Sequence, residues 1–378
     1  MIAVMRVVVA PDKFEGTLSA KQAAAALASG WRRADRGAEV EELPMADGGK
    51  GTLETLRDAL GGRRERVRIT GPLGDPVEAD YGLVETSEGL AAVVEMARAS
   101  GLALVSEARR DPLRATTWGT GELIAAACAH RPSRMIVCIG GSATNDGGAG
   151  MAQALGVRLL DEGGADLPPG GAALRRLSRI DASDLDRAVR DVDVVVASDV
   201  DNPLTGPRGA SAVYGPQKGA TPEQVRLLDG SLGHFAAVIH RDLGLDVRDL
   251  PGAGAAGGLG AGLIAFLGGR LRPGFEVVAG ALDLERRLRW ADVAVTGEGK
   301  YDAQTERGKA PAGVLRMARE AACRTVVVAG QVEEGVSPPA DLVYSLAGRA
   351  GLADAMGRTR ELLEEAATEA ARALRPDE

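Results

Sequence analysis

Aromatic, histidine and cysteine side chains are scarce in this 378-residue chain: Phe, Trp and Tyr make up 3% of it, with three His and three Cys. So few aromatics leave no stacking platform for single-stranded nucleic acid, and a formal net charge of -8 repels phosphate backbones, so no nucleic-acid partner is expected. Cys128, Cys138 and Cys323 lack the paired spacing of a zinc site, and an odd count fits a reducing compartment better than a disulfide framework. His130, His234 and His240 fall on or beside helical patterns away from the polar loops, which argues against a histidine-based triad or metal pair. Trp31, Trp118 and Trp290 are read as packing residues.

Long charge-free runs are missing too, with one exception. The opening MIAVMRVVVAPD has no basic leader, is interrupted by Arg6 and is followed by no small-residue cleavage site, so a cytoplasmic protein is expected. Residues 252–269 carry no charge, but eight glycines and five alanines make them weakly apolar; they read as a buried helix, and no membrane partner is expected. Lysine is the last scarcity: six of the 45 basic residues. Five of the six, Lys13, Lys50, Lys218, Lys300 and Lys309, sit in polar loops, and only Lys21 lies in an alanine-rich helix. A compact ammonium on a flexible stem suits a phosphate that moves during reaction better than the rigid arginine fork.

What is present is an alternation of short β-branched runs, most of them stopping at polar or glycine-rich loops, with alanine-rich helical patterns. That is the signature of an α/β fold with a mostly parallel, doubly wound sheet. Strands are expected at 4–10, 40–43, 135–139, 192–197, 293–296, 325–329 and 342–345, and helices at 19–33, 119–129, 147–155, 222–241, 310–322 and 352–374. Residues 63–86 alternate differently and suggest antiparallel strands and turns. The length exceeds one compact core. The expected division puts residues 1–66 and 272–378 in a doubly wound, Rossmann-like domain and 67–271 in a large inserted α/β domain, with the active site in the interdomain cleft beyond the strand ends.

Six glycine-bearing loops stand out, residues 10–17, 44–52, 140–148, 198–206 running on to 215–219, 251–262, and 296–305 ending at Lys309, and in all but 251–262 acid, amide or lysine stands beside the glycine. Phosphoryl transfer needs this set: backbone NH and lysine for phosphates, carboxylates or amides for Mg²⁺, and one carboxylate beside the attacking hydroxyl. The most informative loop ends the run MIVCIGGSATNDGGAG at 135–150, where an apolar strand stops abruptly in Gly140, Gly141, Ser142, Thr144, Asn145 and Asp146. No GxxxxGK[ST] occurs, since Gly49-Lys50 and Gly308-Lys309 are followed by Gly51 and Ala310. A GxGxxG at Gly252, Gly254 and Gly257 has no buried strand before it, so it reads as a tight entry to a closely packed helix rather than a dinucleotide site.

Taken together, APDKFEGTLSA, PMADGGKGT, TTWGTGELI, IGGSATNDGGAGMAQALG, SDVDNPLTGPRGASAVYGPQKGAT, PGAGAAGGLGAGL and TGEGKYDAQTERGKAP resemble the bacterial glycerate kinase family of the 2-phosphoglycerate-forming type, in order and approximate spacing, over almost the whole chain. The resemblance implies ATP as co-substrate, Mg²⁺, and transfer of the γ-phosphoryl group to a hydroxyl of D-glycerate. Three positions depart from the family's usual residues: Lys13 for Ser, Glu15 for Lys, and Lys50 for Glu. The first two together keep local charge; an ammonium at 50 means either that this position is not a metal ligand, the favoured reading, or that the protein has reduced or altered activity.

The expected roles follow. Asp199 is the first choice of base and Asp201 the second, while Lys218 and Lys309 neutralise the transferring group. Asp47, Asp146 and Glu298 are the metal candidates. Asp12, Lys13, Gly48, Gly49, Gly140, Gly141, Ser142, Thr144, Asn145, Asn202, Gly297 and Asp302 bind substrate or phosphate, with the helix after Asp146 adding its dipole. The protein is expected to be a monomer or homodimer. Alternatives are a kinase of another small hydroxy acid, a non-catalytic nucleotide-binding regulator and, weakest, an oxidoreductase.

Overall fold

The structure, a computed structural model, describes residues 4–375; residues 1–3 of the opening segment read above lie outside the described residues. In chain order the strands are β1 Arg6–Val9, β2 Glu39–Glu42, β3 Arg63–Thr70, β4 Pro76–Thr86, β5 Gly89–Glu95, β6 Arg134–Cys138, β7 Arg158–Leu160, β8 Arg179–Asp181, β9 Asp193–Ala197, β10 Arg270–Arg272, β11 Val293–Tyr301, β12 Arg324–Val332 and β13 Leu342–Ser345. The chain forms two compact units: one holds the described residues up to Asp47, Asp58–Leu60 and everything from Phe275 onward; the other holds Gly48–Arg57 and Gly61–Gly274.

The first unit is built on a wholly parallel sheet in the order β13-β12-β11-β1-β2. Its central strands are nearly continuous β-branched runs, as strands covered on both faces must be. Helix Ala20–Ala34 begins at a capping box, where the Ser19 hydroxyl accepts from Gln22 N and the Gln22 side chain accepts from Ser19 N. Its small residues pack against helix Thr359–Ala373, and both helices share the core with Val7, Trp31, Val295 and Val326. Numbered within the unit, the strand order is 2-1-3-4-5, which reverses direction between β1 and β11. A doubly wound sheet opens its binding crevice beyond the carboxyl ends of the strands at such a switch.

The second unit has a six-stranded sheet in the order β10-β9-β6-β5-β4-β3. β5, β6, β9 and β10 run parallel, and β4 and β3 extend them as antiparallel neighbours, in line with the alternation at 63–86. Because β3 pairs with β4 along its whole length, from Arg63↔Leu83 to Thr70↔Pro76, the segment from Arg63 belongs with this sheet. Helices Trp118–Cys128, Ala149–Ala154, Pro222–Leu243 and Ala255–Leu267 cover it over one continuous core.

Two expected helices are altered. The run at 352–374 is broken at Arg358 (φ -123) into Leu352–Gly357 and Thr359–Ala373. The glycine-rich helix begins only at Ala255 and carries three left-handed residues, Ala256, Gly257 and Gly258, before it straightens.

A charged network ties the start of this unit to its sheet. Arg98 Nε donates to Glu95 at 2.8 Å, its Nη2 to both Glu54 oxygens at 2.7 and 2.8 Å, and its Nη1 to Asp80, which Arg64 also pairs. The other Glu95 oxygen accepts from Gly51 N at 2.9 Å and Leu53 N at 3.1 Å, filling the N-terminus of helix Thr52–Leu60. Removing the guanidinium leaves buried Glu95 without its charged partner and buried Asp80 with Arg64 alone. Arg98→Ala is therefore expected to lower stability by about 3–5 kcal/mol in urea unfolding, with Arg98→Lys losing less because it keeps the charge but not the fork.

Candidate active site

At the switch point of the first unit, β1 runs into Asp12 and Lys13, and β11 carries Gly297 and Glu298. Asp12 is buried, and its Oδ1 accepts from Lys13 N at 2.6 Å. Burial and then the charge of Asp47 push the Asp12 carboxyl up to about 6, against the pull of Lys13 and Lys309. Glu298 is 7% exposed, and its buried Oε1 has no hydrogen-bond partner. Burial pushes this carboxyl up to about 7, against the Thr305 hydroxyl and Lys309, with Asp12 and Asp302 raising it further.

Asp302 is of a different kind. Its Oδ1 accepts from Gln304 N, Thr305 N and Thr305 Oγ1 at 3.0, 3.1 and 3.3 Å, so it builds the turn leading to Lys309. Lys309 itself sits at the N-cap of helix Ala310–Glu320, and its charge acts on Asp12, Glu298 and Asp302 alike. The unusual Lys13 and Glu15 form an ion pair at 3.7 Å, consistent with a charge exchange. Asp12, Asp47, Glu298, Asp302 and Lys309 thus form one electrostatic group.

In the second unit the loop after β6 is built from the inside out. Asp146 is 0% exposed. Its Oδ2 accepts from Thr117 N at 2.8 Å, Thr117 Oγ1 at 2.9 Å and Gly150 N at 3.3 Å, and its Oδ1 accepts from Gly148 N at 3.2 Å. Burial pushes its pKa up, and these hydrogen bonds oppose the shift. The expectation of a metal ligand at Asp146 meets a carboxylate already enclosed and occupied by Thr117 and by the backbone of its own loop. Asp146 also fills the N-terminus of helix Ala149–Ala154, the position expected to receive an anionic group of the ligand, and that helix is only six residues long.

Lys218 lies behind the same loop, 2% exposed, donating to Ser142 Oγ at 2.8 Å and Thr144 O at 2.6 Å. Burial pushes it down to about 7, with the Asp146 charge pulling the other way. It pins the loop rather than facing solvent, where a transferring phosphoryl group would arrive. Asn145 Nδ2 donates to Ser211 Oγ at 2.8 Å, while Asn145 Oδ1 and Thr144 Oγ1 are buried without partners. The exposed part of the loop is its tip, Gly140 and Gly141.

The glycine-rich segment packs backbone to backbone behind this loop. Gly147 N donates to Gly257 O at 3.0 Å, and a Cβ on Gly257, whose φ is +70, would lie 2.0 Å from Thr144 O. On the next loop Asp199 is exposed, and its Oδ1 accepts from Gly274 N at 2.8 Å. Asp201, its side chain 77% exposed, pairs with Arg208, and Asn202 accepts from the Tyr214 hydroxyl at 2.7 Å. Gly48, with φ +81, packs so closely that a Cβ there would lie 2.6 Å from Gly274 Cα; Gly49 O accepts from the Thr52 hydroxyl at 2.7 Å; and Lys50 is exposed. Two histidines are used in packing: His130 bonds the Tyr81 hydroxyl and His234 the Leu177 carbonyl.

Two functional supports had no local signal in the sequence. Thr117 is 29 residues from Asp146, and Glu95 is 44 residues from Gly51; neither spacing belongs to a motif.

The sequence pattern of the Glycerate kinase family matches residues 7–375. The glycerate kinase of Halalkalibacterium halodurans is 48% identical over 366 residues, 96% of each chain, and that of Bacillus subtilis 46% over 376 residues, 98% of each. The glycerate 2-kinase of Escherichia coli is 46% identical over 332 residues, 88% of this chain and 87% of the relative. The crystal structure of a Salmonella typhimurium LT2 protein described as glycerate kinase 2 matches with a TM-score of 0.90 at 46% identity, covering 98% of each chain.

The raised carboxyls give the metal-free protein a defined pH response. Unfolded, Asp12 and Glu298 ionise near pH 4, whereas folded they hold their protons up to about 6 and 7, so the unfolded state releases protons first. Their contribution to stability is complete below about pH 4 and is lost as the pH rises to about 7. Relative to wild type, Glu298→Gln should therefore gain melting temperature progressively from pH 5.5 to 7.5 in calorimetry without added cation; a constant difference across that range would contradict the shift.

Proposed function

The chain belongs to the glycerate kinase family, and from that premise we propose that it transfers the γ-phosphoryl group of ATP to the 2-hydroxyl of D-glycerate. The observation that carries the reading is the unpartnered Oε1 of buried Glu298, among the carboxylates Asp12 and Asp47 and beside Lys309, at the switch point of the doubly wound sheet. A carboxyl held protonated to near neutrality with a free oxygen is a fitting donor for a divalent cation, which would displace the proton. Asp12, Asp47 and Glu298 would hold Mg²⁺, and bound there it would offset phosphate charge. Lys309, on its helix N-cap, would hold the transferring phosphoryl oxygens as a point charge.

In the second unit the exposed tip at Gly140 and Gly141 offers backbone NH groups to an anionic ligand. Asp146 and Lys218 work behind it: one fixes the backbone, the other fixes Ser142 and the Thr144 carbonyl. Asp199 serves as the base for the glycerate hydroxyl, oriented by Gly274 N, and Asp201, paired with Arg208 at the surface, does not. The 2-hydroxyl is assigned on the likeness to the Escherichia coli glycerate 2-kinase. Among the described residues no helix is long and apolar enough to cross a membrane.

Turnover of D-glycerate with Mg·ATP, read with enolase alone and then with enolase plus phosphoglycerate mutase, tests the reading. Signal with enolase alone identifies 2-phosphoglycerate; signal only with the mutase moves the attack to the 3-hydroxyl. In the same assay Asp199→Asn should lower kcat by about 10²- to 10⁴-fold, and Asp201→Asn should stay within about threefold of wild type. Equal losses in the two variants would remove Asp199 from the role of base.

A further inference from the structure

We propose that Arg110 reads the carboxylate of the acceptor substrate, an inference that rests on the glycerate kinase reading. The segment preceding Arg110 is laced to the loop after β6: Ala143 N donates to Ser100 O and Leu102 N to Gly141 O, both at 2.9 Å, and Gly101 bridges Ser142. A 3-10 turn at Glu107–Arg109 then delivers Arg110 to the segment around Lys218. Its Nη1 donates to Gln217 O at 3.2 Å, and its Cβ lies 3.1 Å from where a Cβ on Gly219 would stand. Lys218, between those two residues, reaches Ser142 in the same loop. Arg110 is thereby held against the residues on either side of the lysine that pins the loop.

The guanidinium is poorly satisfied where it lies. Its Nε is buried with no acceptor, and the carboxylate that pairs with it, Glu107, stands 3.9 Å away on a side chain that is 89% exposed. Other partly buried arginines are treated differently: Arg98 meets carboxylate oxygens at 2.7 and 2.8 Å, Arg134 meets Asp193 at 2.9 Å, and Arg349 meets Glu369 at 2.6 and 2.8 Å. A buried charged donor without an acceptor is costly to keep, and the Gln217 carbonyl at 3.2 Å and Glu107 at 3.9 Å offset it only in part. A planar fork with parallel donors, still 27% exposed, matches a small carboxylate bidentately. D-Glycerate carries such a group beside the hydroxyl to be phosphorylated, and at the exposed edge of the guanidinium it would supply the close negative charge that Glu107, 3.9 Å away, does not.

The test uses Arg110→Gln and Arg110→Lys in the full chain, with D-glycerate and its uncharged carboxamide as competing acceptors. Arg110→Gln should raise KM for D-glycerate about 10- to 100-fold, leave KM for ATP within about twofold, and abolish the preference for carboxylate over carboxamide; Arg110→Lys should restore part of that preference. Loss of a latch onto residues 216–219 alone would lower both acceptors equally, so a preference within threefold of wild type overturns the proposal. Calorimetric titration of D-glycerate into wild type and both variants separates this inference from the reading beneath it. Binding that weakens in Arg110→Gln without wild-type turnover would refute the kinase and uphold Arg110, whereas turnover with unchanged binding would do the reverse. Should Arg110→Gln not fold, the carboxamide preference of Arg110→Lys decides.

Discussion

The buried carboxylate of Asp146 is the constraint on which the second unit's site depends. One ionisable group without solvent contact ties together the segment at Thr117, the bend at Gly148 and the helix start at Gly150. It fixes the loop from below while Lys218 fixes it from the side, and the glycine-rich segment fills the space behind without side chains. The tip is exposed while Asp146 and Lys218 beneath it are committed to the loop's own backbone and hydroxyls. Such a loop is preorganised, and binding does not have to order it.

The first unit uses the opposite device. Asp12 and Glu298 are buried with too few donors, so they hold protons that ordinary carboxyls would have lost, and Glu298 keeps an oxygen idle. Asp146 is thus satisfied on both oxygens, whereas Glu298 is left wanting on one.

Much of this could be read from the chain. β-branched runs ending at Gly or Asp marked the parallel strands, since burial on both faces leaves little else. The failed dinucleotide motif was legible as a tight helix entry because no strand preceded it, although the left-handed stretch at 256–258 could not be foreseen. The loops were legible as loops, but the division of labour within them was not. Asp146 resembles a ligand in sequence, yet its oxygens accept from a segment 29 residues away and from a bend that only the folded backbone makes. Lys218 stands out as a rare lysine in a polar loop, yet its ammonium points into protein. Strand β5 escaped notice because its small residues, Gly89, Ala91 and Ala92, dilute the β-branched signal.

The close approach of Gly48 to Gly274 also bears on how the chain is assembled. The first of these residues begins the second unit and the other ends it, and their backbones are in contact. A stretch of more than two hundred residues thus starts and finishes at one point. In architectural terms it is a cassette: a module whose two ends meet can be spliced into a host, or lifted out and closed on itself, without asking the flanking chain to span any distance.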